Sequence, residues 1–208
     1  MSLLIELHYL PSIAYFAALE KHEEMVIEKH EHYRKQSFRN RCQIVTSQGL
    51  RPLIVPTLDG HGKVPITEVR IDYSQKWLNN HWRSIQSSYG KAPFFEYYSD
   101  ELHDTLYEKH ILLYDLNRCL LSMCLRWIRK TIRVNESLTY EKSVDSKISD
   151  ARSLITVKNN GKEHHFYKPV SYTQVFGSAF VEDVSVIDLI FCVGPDAAGI
   201  VKASSIVK

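Results

Sequence analysis

The chain has 208 residues, 44% of them hydrophobic, and its 26 Lys and Arg stand against 24 Asp and Glu for a formal charge of +2. A chain of this size buries a core without disulfide or metal staples, and the near balance of charge excludes the polyelectrolyte surface of a general nucleic-acid binder, so any basic function is local. The four cysteines, Cys42, Cys119, Cys124 and Cys192, form no C-x-x-C pair and read as reduced thiols of a cytoplasmic protein.

The opening "MSLLIELHYLPS" lacks a basic leader, and its apolar run breaks at Glu6 and His8, so it predicts neither a signal peptide nor a membrane span. Ile5, Leu7 and Tyr9 alternate with Glu6 and His8, the period of a strand with one wetter face. Pro11 ends it. Ser12 then caps a helix over "IAYFAALEKH", with Ile13, Phe16 and Ala17 on one face, and "EEMVIEK" supplies a second strand. Strand, helix and strand at this spacing predict a parallel βαβ unit, which makes the turn at Leu10 to Ser12 a natural ligand position.

"CQIVTSQGLRPLIVPTL" reads as two short strands joined at Gln48-Gly49, and "DGHGK" after it as a mobile loop without phosphate-loop spacing. From Ser74 the period becomes helical. Leu78, Trp82, Ile85 and Tyr89 form a stripe with His81 at its margin, opposite Lys76, Asn80 and Arg83, and Gly90 and Pro93 end the helix. A long helix is predicted from Asp100 to Lys130. Leu106, Leu113, Leu120 and Trp127 recur every seven residues, with Leu102, Leu116 and Met123 beside them and Lys109 as an interruption. That seam packs on its own domain or, alternatively, makes a homodimer. The tail is polar and turn-rich, with strand-like pieces around Gly161. "SVIDLIFCVGP" closes as a short helix, with Ser185 and Asp188 at capping-box spacing and Gly194-Pro195 as the stop. Its apolar run contains Asp188 and is too short to cross a bilayer.

Most of the chemistry lies in "HEHYRKQSFRNRC", His30 to Cys42. His30 and His32 share a face if the segment is a strand, but no third ligand has a recognisable spacing, so no metal site is assigned. No G-x-S-x-G or cysteine-base motif points to nucleophilic catalysis. Lys35, Arg39 and Arg41 alternate with Tyr33, Phe38 and Asn40, which sets forked cations beside flat rings and suits an anion with a stackable or sugar-like body. A solvated basic strand edge is the bland alternative.

"YLPSIAYF", "HEHYRKQSFRNRC", "IDYSQKWLNNHWRSIQSSYGKAPFFEYY" and "YTQVFGSAFVEDVSVIDLIFCVGP" together resemble the WbqC-like protein family. The resemblance is weak only from about Arg133 to Lys168. Its pattern falls on Tyr9, Pro11 and Tyr15, on Tyr33, Lys35, Arg39, Asn40 and Arg41, on Lys76, His81, Trp82, Tyr89, Lys91, Pro93 and Phe94, and on Gln174, Ser185 and Asp188. Where relatives carry Gln-Pro before the first aromatic residue, this chain has Glu6, Leu7 and His8. The resemblance implies a role in bacterial surface-polysaccharide (O-antigen) production, with glycine transfer proposed for the family.

The expectation is therefore an α/β fold in a single domain: an N-terminal βαβ-type mixed sheet and hairpin over 1–73, a long helical segment over 74–132, and a mixed tail over 133–208 that packs back and includes a short C-terminal helical region. The expected function is group transfer on an activated sugar or sugar-linked intermediate. Lys35, Arg39 and Arg41 would hold the anion, Tyr9, Tyr33, Asn40, Tyr89, Lys91 and Asp188 would line the site, and His81 would be the general base. The rivals are a non-catalytic protein that binds a glycan precursor or assembles enzymes, favoured by an exposed leucine seam, and a nucleotidylyltransferase-like enzyme, which the absence of an H-x-G-H turn disfavours. The expected partner is a small anionic or sugar-linked molecule, not a nucleic acid or a membrane. No cofactor is named by the sequence.

Overall fold

A computed structural model describes residues 1–58, 63–159, 165–177 and 179–206. Strand β1 (Ser2–Ile5) leads through helix α1 (Ile13–Leu19) to strand β2 (Glu24–Ile27), and the two strands pair in parallel, Ser2 opposite Glu24 and Ile5 opposite Ile27. This is the expected βαβ unit, but β1 stops before Leu7 and Tyr9, and Glu6 and His8 are buried, so the expected alternation with a wetter face is absent. Leu3, Leu4 and Ile5 are all buried, as befits a strand covered on both faces, and every residue of α1 is buried too.

Strands β3 (Arg41–Thr46) and β4 (Gly49–Ile54) form a separate antiparallel ribbon. Ser47 and Gln48 occupy its turn. Gly49 follows at φ 96°, a conformation in which a side chain would be strained. The glycine-rich "DGHGK" reading falls on 59–63, of which 59–62 lie outside the described residues.

Helix α2 (Trp77–Tyr89) ends at Gly90 as the sequence predicts. The single helix expected over 100–130 is instead two, α3 (Phe95–Tyr107) and α4 (Leu113–Trp127). Lys109 takes φ 55° between them, and the backbone of the elbow bonds to the segment before α2: Ile71 N–H donates to Ile111 O at 3.0 Å and Leu113 N–H to Val69 O at 2.9 Å. Pairing with that segment satisfies groups that a continuous helix would have kept internal. Leu102, Leu106, Leu113, Leu116 and Leu120 are completely buried in the chain's own core, so the heptad seam offers no exposed surface.

Two short tail strands complete the sheet. β5 (Arg133–Glu136) pairs with β2 and β6 (Ile148–Asp150) with β1, giving the order β5-β2-β1-β6, parallel throughout. The strand-like pieces read around Gly161 lie outside the described residues. Helix α5 (Val186–Val193) stops at Gly194, whose φ is 55° and whose missing side chain leaves room for the Phe94 ring. The chain then continues into α6 (Ala197–Ser204), which packs on α1 and which the sequence reading does not anticipate. Among the described residues no helix is long and apolar enough to cross a membrane.

Candidate functional site

Because the four strands of the main sheet are parallel, their carboxyl ends emerge along one edge. The chain runs from β1 to β2 on one side and places β6 on the other, so β1 and β6 flank a topological switch point, where open parallel sheets bind ligands. Apolar strand sequences end there in charge. Glu6 follows "LLI" and Glu28 follows "MVI", and both carboxylates are about 1% exposed.

Each is enclosed by donors. Ser153 N–H donates to both oxygens of Glu6, 3.0 Å from each, with Ser153 itself at φ 59°. Glu28 accepts from Ser137 Oγ at 2.8 Å, from His30 N–H at 2.9 Å and from Arg152 Nη1 at 3.0 Å. Arg39 holds Glu31 through two bonds, 2.7 and 2.5 Å, and its Nη2 lies 3.3 Å from Glu6. Burial raises the pKa of Glu6, but His8 and Arg39 outweigh it and hold the carboxyl at about 2. Glu31 shifts the other way, because its burial outweighs the Arg39 contact. Two carboxylates on one guanidinium are thus driven apart in acidity, an arrangement typical of sites that move protons.

Above this layer lies a hollow of about 290 Å³ lined by His30, Glu31, Arg34, Tyr140, Arg152 and Ser153, with His32 and Tyr33 at its wall. Arg152 is engaged by Asp150 as well as by Glu28, and its guanidinium lies 5.0 Å from the centre of the half-exposed Tyr140 ring. Arg34 donates to Ser153 Oγ at 3.2 Å, and its charge acts on Glu31 without a direct ion pair between them among the described residues. His30 Nε2 lies 3.1 Å from Ser137 O. A carbonyl can only accept, so Nε2 carries the hydrogen and the neutral ring keeps a lone pair at Nδ1. That atom has no protein partner among the described residues. The set therefore offers a base, one exposed guanidinium, a ring face and several planar polar groups.

Residues 7–169 match the WbqC-like protein family. The chain belongs to that family. It is also similar to the uncharacterized protein Rv1507c of Mycobacterium tuberculosis, 28% identical over 224 residues, which cover 93% of this chain and 94% of that protein. No solved structure matches it significantly. The matched span includes Arg133 to Lys168, where the quoted sequence blocks carry little of the resemblance, and it stops before the closing block around α5.

In this WbqC-like chain the residues singled out from sequence fall in three places rather than one. Tyr33 lines the hollow just described and Arg39 lies beneath it, but Arg39 is already neutralised by Glu31 and Glu6 and is not free to grip an anion. Lys35 points to solvent. Asn40 is structural, donating to Val55 O at 2.9 Å, and Arg41 is half-buried on β3 with an Nε that has no partner among the described residues.

His81 is remote from that cluster and lines a smaller hollow, about 250 Å³, with Arg51, Lys76 and Asn80. Its Nε2 donates to Ile54 O at 3.1 Å, so its Nδ1 accepts from Tyr9 OH at 3.0 Å. Both nitrogens are engaged, and burial pushes the pKa down to about 4. In this arrangement His81 presents no free lone pair for the base role expected of it. Tyr89 and Asp188 stand behind a third and larger hollow, about 760 Å³, that Lys91, Ser88, Gln174 and Cys192 line. Asp188 accepts from Tyr89 OH at 2.8 Å, Tyr172 OH at 2.6 Å and Gln174 Nε2 at 3.0 Å, so it faces inward and caps nothing. Ser185 donates to Leu10 O instead, at 2.9 Å, and makes no side-chain cap. The larger hollow carries few ionisable groups; the sheet edge is the stronger candidate because buried charge is concentrated there.

The turn at Leu10 to Ser12 is closed to ligands. The start of α1 is already met by a protein carboxylate, with Ala14 N–H donating to Asp183 Oδ1 at 3.0 Å. Sequence reasoning missed Glu6, Glu28, Arg34, Tyr140, Arg152 and Ser153, and weighed His30 only as a metal ligand. One signal was available: a glutamate placed directly after each of two apolar runs, "LLIE" and "MVIE".

Proposed function

We propose that this WbqC-like protein is a cytoplasmic group transferase acting on an activated sugar or sugar-linked intermediate of bacterial surface-glycan assembly, with amino-acid transfer, such as glycine transfer, as one form of the reaction. The observation that carries this reading is His30, tied through Nε2 to Ser137 and facing the same hollow as the exposed Arg34. In the step proposed, the acceptor's O–H or N–H proton passes to His30 Nδ1 as that oxygen or nitrogen bonds to the activated carbon. The bond to the leaving group breaks, and Arg34 offsets the negative charge it carries away. Tyr140 offers its ring face to a sugar, and the surrounding polar groups suit hydroxyls.

The two rival readings lose the features they called for. An assembly module was to display Leu106, Leu113 and Leu120, all of which are buried. A nucleotidylyltransferase would use the start of α1, where Asp183 sits. The test is a thermal-shift screen of the purified protein against nucleotide sugars and amino acids, followed by product analysis with the compounds that bind. His30→Gln is expected to keep the shift and lose at least tenfold in product formation, and Arg34→Ala to lose the shift itself. Unchanged turnover in both variants would remove the assignment.

A further inference from the structure

Outside the sheet edge, one cluster brings together three side chains of different metal-binding type. Glu108 at the end of α3, His110 in the elbow and Cys119 on α4 place one donor atom each within 4.8 Å of one another. A tetrahedral ion with bonds of about 2.0 to 2.3 Å spaces its ligands roughly 3.3 to 3.8 Å apart, so closure needs only side-chain rotation. Glu108 Oε2 and His110 Nε2 are already 3.0 Å apart. Asp115 lines the same hollow, about 580 Å³, one helical turn before Cys119.

The backbone carrying these donors is fixed before any ion arrives. Tyr73 OH donates to His110 O at 2.9 Å, and Ile111 and Leu113 are held by Ile71 and Val69. Arg118 and Arg126 line the same hollow and are paired there with Glu136 and Glu101.

We propose that Glu108, His110 and Cys119, with Asp115 as fourth donor, form a Zn²⁺ site that pins the end of α3 to the first turns of α4. Mixed sulfur, imidazole and carboxylate donors favour zinc over magnesium or calcium, which take oxygen. On binding, the Cys119 thiol proton leaves to the buffer and the thiolate sulfur coordinates the ion, with no change of oxidation state.

The experiment uses tag-free, reduced, full-length protein titrated with Co²⁺ as a spectroscopic stand-in, then with Zn²⁺ against a chromogenic chelator. One equivalent of Co²⁺ is expected to produce a sulfur-to-cobalt charge-transfer band that Zn²⁺ abolishes. Cys119→Ser should lose the band, and His110→Ala should bind Zn²⁺ at least tenfold more weakly, each with an unchanged far-UV spectrum. Cys119 is exposed, so its replacement does not disturb the core. Absence of the band, its persistence in Cys119→Ser, or equal zinc affinity in both variants would overturn the proposal.

Discussion

The backbone N–H of Ser153 donates to both carboxylate oxygens of Glu6, so the end of β6 is clamped to the end of β1 at the switch point of the sheet. The same carboxylate lies 3.3 Å from Arg39 and 3.6 Å from His8, which makes Glu6 the hub on which the candidate site is assembled.

Glu6 should make the protein sensitive to acid. Its pKa falls from about 4.5 to about 2 on folding, so its contribution is complete above 4.5 and is lost as the pH drops toward 2. The size is on the order of 3 kcal/mol. Glu6→Gln should be markedly less stable than the parent at pH 7 and nearly equal to it at the lowest pH where both still fold. Urea unfolding across that range reads the difference, and parallel curves would contradict it.

Asp183 should act in the opposite sense. Burial lifts its pKa from 3.8 to about 6, despite the bond from Ala14. A group whose folded pKa is raised contributes below its unfolded value and loses that contribution as the pH rises through 6. Asp183→Asn keeps an oxygen for Ala14 N–H. Its cost should therefore shrink between pH 4 and pH 8, by about 2 to 3 kcal/mol. A cost that grows with pH would refute the account.

Tyr9 and His81 give a test of structure against chemistry. Tyr9→Phe leaves His81 Nδ1 buried without a donor and should lower stability by about 1 to 3 kcal/mol. Ligand-induced thermal shifts and turnover should be unchanged. The depressed His81 pKa also means that stability falls as the pH drops from 6.5 toward 4, where the unfolded ring takes a proton first. His81→Ala should flatten that slope. A loss of turnover in Tyr9→Phe that exceeds its loss of folded protein would return His81 to the chemistry.

By itself the sequence determined the order of the βαβ opening, the hairpin, the stop of α2 and the α/β class, because each follows from apolar runs, helical periodicity or breaking residues. It also singled out the His30 to Cys42 segment, whose first residues line the candidate hollow. Tertiary structure alone decided the rest. β5 and β6 carry no alternation and become strands only because β2 and β1 offer unpaired edges. The elbow at Lys109 exists because Val69 to Ile71 bind it, and heptad spacing cannot report a competing backbone partner. How far a cation is neutralised is likewise decided in space: Arg39 and Arg34 look equivalent in the chain, yet one pairs directly with two buried carboxylates and the other bonds a serine hydroxyl and acts on Glu31 without pairing with it. Charge is written in the sequence, but its compensation depends on which groups folding brings within a few ångströms.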